Sequence, residues 1–454
     1  TIAASPTMKY KFEDGTLAPG PGVTMFNPEY HANSVNAKSS TDNLTMSLGA
    51  HWIILPGLTF DPLVSIFQRT SDSRSFQKAA YLQGPTQLVD SRNASGAFSK
   101  YLQKQVDAVF SYNRLFGTDH NFEAKAGFSY YQSNNSSLSA SGRKAASDLI
   151  PTLNASSEPV SVNGAESSMK IIGYFARVNY DFRQKYLLSL NARYDGASNL
   201  GSAHKWGLFP GISAGWNMHK EKFWSAIPAV VSHFKLRASY GVNGNISGLG
   251  PYQAQGEYSV GARYGGVAAI QNTILSNDGL RWEQSKTYDI GADIGLVNNR
   301  ISVLFDYFNR TTENLLTSLS LPHSTGFSSI LTNLGTLRNR GVEIEISARV
   351  LPSSSAFQWN VSFNASKVTN KILKLPYNGA ENNRIGGIYA WDPAKNDYGW
   401  LGGLQEGGTM GDMYAYKQIG VFATDADAAK APIDNIMTGD KTKYGGDVNW
   451  LDAD

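Results

Sequence analysis

Between Tyr288 and Leu316 the chain carries two alternating segments back to back, YDIGADIGL and RISVLFDYF, hinged on Val297-Asn298-Asn299 with almost nothing spare for a turn. A period of two fixes which residues share a face. Tyr288, Ile290, Ala292, Ile294 and Leu296 fall on one side of the first arm, and Asp289, Gly291, Asp293 and Gly295 on the other. The second arm repeats the pattern with Ile301, Val303, Phe305 and Tyr307. Strands of roughly ten residues, apolar on one side and polar on the other, match what a tilted strand needs to cross a bilayer. A soluble sandwich alternates in the same way, so the rest of the chain has to choose.

The alternation recurs. Its apolar faces are Leu44 to Trp52, Val106 to Tyr112, Phe122 to Tyr130, Ile172 to Tyr180, Tyr186 to Tyr194, Leu236 to Tyr240, Val342 to Val350 and Phe357 to Ala365, taken at every second residue. At the chain's 17% charge content, about eight of these roughly 46 positions would be charged by chance, yet none is. Asp107, Glu123, Lys125, Arg177, Arg193, Lys235, Arg237, Glu343, Glu345 and Arg349 all take the opposite parity. A lipid-facing Lys or Arg at the bilayer midplane costs about 2 to 4 kcal/mol, which gives the segregation a physical cause. Tyrosines at strand ends (Tyr112, Tyr130, Tyr180, Tyr186, Tyr194, Tyr240, Tyr307) suit the headgroup level and favour a membrane barrel over a sandwich.

Composition agrees with an all-β chain: Gly 44, Tyr 23, Phe 21 and Trp 9 in 454 residues, with helical periodicity nearly absent. There are no cysteines, hence no disulfide or thiolate metal site. A net charge of +3 without a polybasic run gives no nucleic-acid surface. No apolar run approaches the roughly 18 residues of a membrane helix. The mean hydropathy of −0.29 is compatible with a barrel, where half the strand residues avoid lipid.

Weaker strands near residues 7 to 13, 58 to 70, 207 to 218 and 414 to 424 bring the expected total to about fourteen. The connections alternate in length. Short ones fall near 55 to 57, 114 to 120, 182 to 185, 298 to 300 and 352 to 356, and long ones near 14 to 38, 71 to 100, 132 to 167, 245 to 284, 317 to 340 and 370 to 413. Short periplasmic turns and long extracellular loops are the habit of outer-membrane barrels. Two links break the rule: 198 to 206 is brief for a loop, and 219 to 232 is long for a turn.

Few motifs carry chemistry. Gly211-Ile212-Ser213-Ala214-Gly215 matches a nucleophile elbow, but it lies inside the strand-like LFPGISAGWNM, and small residues on a barrel strand produce this string easily. The seven histidines form no zinc-spaced pair, and no Ser/His/Asp triad can be selected. No residue is expected to be catalytic. Tyr377, Tyr389, Trp391, Tyr398 and Trp400 crowd the last long loop beside Asn378, Asn382, Asn383 and Asn396. Flat rings beside amides suit sugars, although the same rings can fold the loop upon itself. Asp452 and Asp454 have the spacing of the first two ligands of a calcium loop, the one metal expectation; no other cofactor is expected.

These residues together resemble the SusC/RagA family of TonB-linked outer-membrane transporters. The resemblance lies in Tyr307, Thr311, Leu315, Leu316, Thr325, Gly326, Phe327, Asn333, Gly335, Arg338, Asn339, Gly341 and Glu343. RYDGASNLG, LFPGISAGW, SYGVNGN, LRWEQSKTYDIGAD and EGGTMGDMYAYKQIGVFAT add to it. It covers most of residues 165–454, while 1–164 fit as preceding barrel strands and variable loops. The resemblance implies a transmembrane antiparallel β-barrel of about 22 strands in the cell outer membrane. It also implies import of an oligosaccharide or a peptide, a SusD-like surface lipoprotein as partner, and the TonB complex as driver. With about fourteen strands and neither plug nor TonB box in the sequence, an incomplete barrel from a longer transporter is expected. The alternatives are an adhesin or assembly barrel, and an outer-membrane hydrolase that would need Ser213.

Overall fold

The computed structural model describes residues 9–20, 27–81, 87–352, 354–392, 397–411, 417–431 and 443–450, the side chains of 262 and 390–392 excepted. A short helix, α1 (Pro28–Ser34), capped by Asn27, precedes the strands. The first seven are β1 (Val35–Gly49), β2 (Trp52–Leu55), β3 (Leu58–Gln77), β4 (Ala94–Phe116), β5 (His120–Ala145), β6 (Ser156–Phe182) and β7 (Tyr186–Ala197). They are followed by β8 (Trp206–Asn217), β9 (Val231–Asn245), β10 (Glu257–Tyr264), β11 (Val267–Ile274), β12 (Glu283–Leu296), β13 (Ile301–Ser320), β14 (Ser329–Arg349) and β15 (Asn360–Lys374). Last are β16 (Ile388–Asp392), β17 (Asp397–Leu401), β18 (Gln418–Val421) and β19 (Val448–Trp450).

Thirteen strands share one sheet with the order β1-β3-β4-β5-β6-β7-β8-β9-β12-β13-β14-β15, and β2 pairs β3 beside it. That order has two ends, so the sheet is open. The remaining strands pair as β10-β11, β16-β17 and β18-β19. Two compact units divide the chain: residues 1–183, 189–210 and 249–257 form the first, and 184–188, 211–248 and 258–454 the second. Among the described residues no helix is long and apolar enough to cross a membrane.

In the second unit the hairpin β12-β13 forms as its sequence predicts. Leu296 pairs with Ile301, and Val297, Asn298 and Asn299 all take positive φ (52°, 53° and 59°) to reverse the chain in four residues. Asparagine tolerates that region, whereas β-branched Val297 is strained there. Its N–H donates to Val230 O at 2.7 Å, and Asn299 N–H donates to Ser232 Oγ at 2.9 Å, which hold the turn. The register aligns apolar rows across the strands: Leu236, Ala292, Phe305, Ile344 and Ala365 lie side by side, as do Phe234, Ile294, Val303, Ile346 and Phe363. The first unit does the same with Phe60, Phe110, Ala126 and Ala176.

These rows point outward into the surroundings. Leu48 is 78% exposed, Ile290 57% and Phe363 56%, while Asp306 on the opposite face keeps only 21% of its side-chain surface. A water-soluble sandwich would bury the first set and expose the second. An inverted sheet of this kind is stable only in lipid.

Several strand boundaries depart from the sequence reading. The loops expected at 71 to 100, 132 to 167 and 317 to 340 shrink to 78–93, 146–155 and 321–328, because the flanking strands continue far beyond ten residues; β5 alone has 26 and β6 has 27. Outside a bilayer both faces of a strand meet water, so nothing selects an apolar side and the period-two signal fades. The single strand expected over Leu44 to Trp52 breaks after Gly49, and Trp52 belongs instead to β2, folded back on β3. Of the segment near 7 to 13, residues 9–13 contribute only an isolated bridge from Lys11 to Leu17. Of the strand expected near 414 to 424, residues 414–416 lie outside the described residues, and the rest contributes β18, which pairs β19 outside the large sheet.

Candidate functional site

The aromatic loop after β15 folds as a small hairpin in the second unit. β16 and β17 pair antiparallel with Tyr389 opposite Trp400 and residue 391 opposite Tyr398, so positions 389, 391, 398 and 400 share one face. Tyr389 stacks on Tyr398 at 6.1 Å and meets Trp400 edge-on at 5.5 Å. Tyr389, Tyr398 and Trp400 are 59%, 56% and 47% exposed, which leaves ring faces open. The Trp391 side chain and Asn396 lie outside the described residues, as do Asp452 and Asp454 of the calcium expectation. Tyr377 precedes the hairpin, is 82% exposed, and takes no part in these ring contacts.

The base of the hairpin is fixed from within. Gly386, Gly387, Gly402 and Gly403 all have positive φ, and the two pairs cross so closely that a Cβ on Gly403 would fall 2.6 Å from Gly386 O. Below them Ile385 bridges Leu404. Arg384 donates to Gly402 O and Gln405 Oε1, and its guanidinium lies 5.9 Å from the Trp400 ring. Glu406 accepts from Leu375 N–H at 2.9 Å and Asn383 Nδ2 at 2.8 Å, and these donors hold its carboxyl below the ordinary glutamate range. Asn378 donates to Arg384 O and accepts from Ala380 N–H. The amides of Asn378 and Asn383 thus hold the loop together, while the rings face out.

The polar face of the second unit carries a charge cluster legible in sequence only as parity. Arg237 lies across β12: Nε donates to Asp293 Oδ1 at 2.9 Å, Nη2 to Asp306 Oδ2 at 2.6 Å and Nη1 to Asp289 Oδ1 at 3.5 Å. Gly291 makes this possible, since a Cβ there would sit 2.7 Å from Arg237 Cζ and closer still to Asp306. The first unit uses the same device, with Arg193 and Asp195 packed over Gly173.

The surface that sequence reasoning missed lies in the first unit, on the extended parts of β1 and β3 to β6. Register places Thr41, Ser71, Ser99 and Ser137 in one row, and Ser75, Ser95, Ser141 and Ser161 in another. A concavity of about 520 Å³ opens over the second row and is lined also by Ser39, Ser73 and Ser139. The serines are far apart in sequence and become neighbours only through strand pairing; a run of Ser at alternate positions was the sole available signal. Ser213 is in mid-β8, opposite Ser239, with no strand-to-helix turn to expose it as a nucleophile.

An open antiparallel sheet with an apolar exposed face, ion pairs on the other face and long strands on one side defines a transmembrane β-barrel. Residues 5–438 match the family described as TonB dependent receptor-like, beta-barrel, and the chain belongs to it. TonB-dependent receptor P39 of Formosa agariphila is 30% identical over 381 residues, which is 84% of this chain and 35% of that protein. TonB-dependent receptor SusC of Bacteroides thetaiotaomicron is 32% identical over 212 residues, 45% of this chain and 21% of that protein. The RagAB peptide importer in its open-open state superposes with a TM-score of 0.77 at 19% identity, covering 97% of this chain and 47% of that one. The chain therefore spans less than half the length of these relatives.

Proposed function

We propose that this chain is the central barrel portion of an outer-membrane importer of a large nutrient, an oligosaccharide before a peptide, driven by the TonB complex and served by a SusD-like lipoprotein. Membership in the TonB-dependent receptor-like barrel family carries this reading. Such a protein performs no covalent chemistry: it binds, is gated, and releases. Four aromatic positions on one face of the β16-β17 hairpin support a carbohydrate, whose apolar ring faces stack on Tyr and Trp. The hydroxyl rows of the first unit support it too, as uncharged donors and acceptors. Tyr377 and calcium at Asp452 and Asp454 remain outer elements of the same proposal.

The test is the double variant Trp391→Ala, Trp400→Ala in the whole transporter. Loss of stacking on two rings should weaken capture of the transported glycan by about tenfold or more, at roughly 1 kcal/mol per ring. Unchanged binding and uptake would rule out the hairpin as the ligand site.

A further inference from the structure

The link between β8 and β9 is a turn-side connection too long for a turn, and its composition is odd for a segment in water: Met218-His219-Lys220-Glu221-Lys222-Phe223-Trp224-Ser225-Ala226-Ile227-Pro228-Ala229-Val230. It folds as two short 3-10 turns, Met218–Lys220 and Lys222–Ala226. Phe223, Ile227 and Val230 are 50%, 38% and 56% exposed, and Lys220 and Lys222 are exposed beside them.

The segment packs on the apolar face of the sheet. Phe223 meets Trp216 edge-on at 6.3 Å, and Trp224 stacks on Phe234 at 5.8 Å while donating from Nε1 to Val231 O. Trp216 and Phe234 belong to the same parity as Ile212, Leu236 and Ile294, the lipid-facing set. Glu221 ties the segment to the sheet: it accepts from Tyr186 Oη at 2.7 Å, Trp216 Nε1 at 3.3 Å and Lys185 Nζ at 3.0 Å. Neither Lys220 nor Lys222 forms an ion pair among the described residues.

We infer that residues 218–231 are an interfacial anchor. Phe223, Ile227 and Val230 enter the boundary between headgroups and acyl chains of the turn-side leaflet, and Lys220 and Lys222 meet the phosphates of anionic phospholipids. The partner follows from continuity with the lipid-facing surface and from charge. Exposed apolar side chains beside lysines and indole rings are what an interface helix or turn presents to lipid. The extra length of this link thus has a cause: a tight turn has no room for an inserted face.

These 454 residues contain no cysteine, so with any cysteine elsewhere in the whole transporter replaced by serine a single label can be placed. Ile227→Cys, labelled with an environment-sensitive fluorophore, is placed in the whole transporter in nanodiscs of phosphatidylcholine alone or mixed equally with phosphatidylglycerol; Thr118→Cys, in the β4-β5 turn, is the control. Quenching at 227 by lipids brominated high on the acyl chain, with little quenching by aqueous iodide, is expected, and the reverse at 118. Lys220→Gln with Lys222→Gln should lower the preference for brominated phosphatidylglycerol by about fivefold per lysine. Iodide quenching at 227 without lipid quenching would overturn the anchor, and would point to water or a protein partner at this link. Lipid quenching with no headgroup preference in the parent would overturn the role of the lysines.

Discussion

The polar faces of the two units solve one problem in different ways. In β9, β12 and β13 the face opposite the apolar rows carries Lys235, Arg237, Asp289, Asp293 and Asp306, and a single guanidinium is clamped by the three aspartates over the gap left by Gly291. In the extended parts of β1 and β3 to β6 the same parity holds serine and threonine, linked by contacts such as Ser141 to Ser161 at 2.7 Å and Thr41 to Ser71 at 3.1 Å. Charges need partners when water is scarce, and a clamp needs a specific geometry. Hydroxyls satisfy themselves locally and tolerate change. One face is therefore specified residue by residue and the other only by residue size and polarity.

Substitutions should separate the two. Arg237→Met strands three carboxylates and should destabilise the barrel by about 3 kcal/mol, while Ser139→Ala should cost less than about 0.5 kcal/mol. Denaturant unfolding in detergent measures both, and equal losses would erase the contrast. Gly291→Ala forces a methyl into the guanidinium and should cost about 1 to 3 kcal/mol. Gly164→Ala, whose Cβ would be an ordinary 3.7 Å from Ser137 O, should be neutral or mildly stabilising in the same assay. A tolerated Gly291→Ala would mean that Arg237 has room to move.

The smallest effect concerns the loop 146–155, whose Ala155 packs against Phe76, Ala94 and Ala145. Asp148 accepts from Ala79 N–H at 3.0 Å and Arg92 Nε at 2.9 Å, and these hold its carboxyl below the ordinary aspartate range. A depressed carboxyl stabilises the folded loop above its unfolded value of about 3.9 and loses that contribution as pH falls through the folded value. Protease nicking of the loop should therefore stay constant from neutral pH to about 5 and rise only below about 4. Release near pH 6 would exclude Asp148 as the tether.

Legibility followed the bilayer. The β12-β13 turn, the shared parity of Ile290, Phe305 and Ile344, and the placement of Arg237 and Glu343 on the other face were all readable, because lipid imposes a period of two on any strand that meets it. The extensions of β3 to β6 were not, because Ser71 to Gln77 or Ser133 to Ala145 face water on both sides and carry no apolar alternation. The break after Gly49 was missed because Trp52 keeps the parity of Leu48 across it. For the aromatic loop the residue types were visible, but not that Tyr389 faces Trp400, nor that Asn378 and Asn383 hold the loop's own backbone and Glu406.

What the sequence by itself determined is the class of protein: a β-barrel turned inside out for lipid, with a family signature between Ile301 and Ser347. Only the tertiary structure decided which strands extend beyond the membrane, which aromatic positions share a hairpin face, and that the long link after β8 lies against the lipid-facing side. The reason is range. Alternation is a local property of one strand in one solvent, whereas rows of serines, an arginine over a glycine, and a loop folded onto Trp216 and Phe234 arise only when distant segments are brought into register.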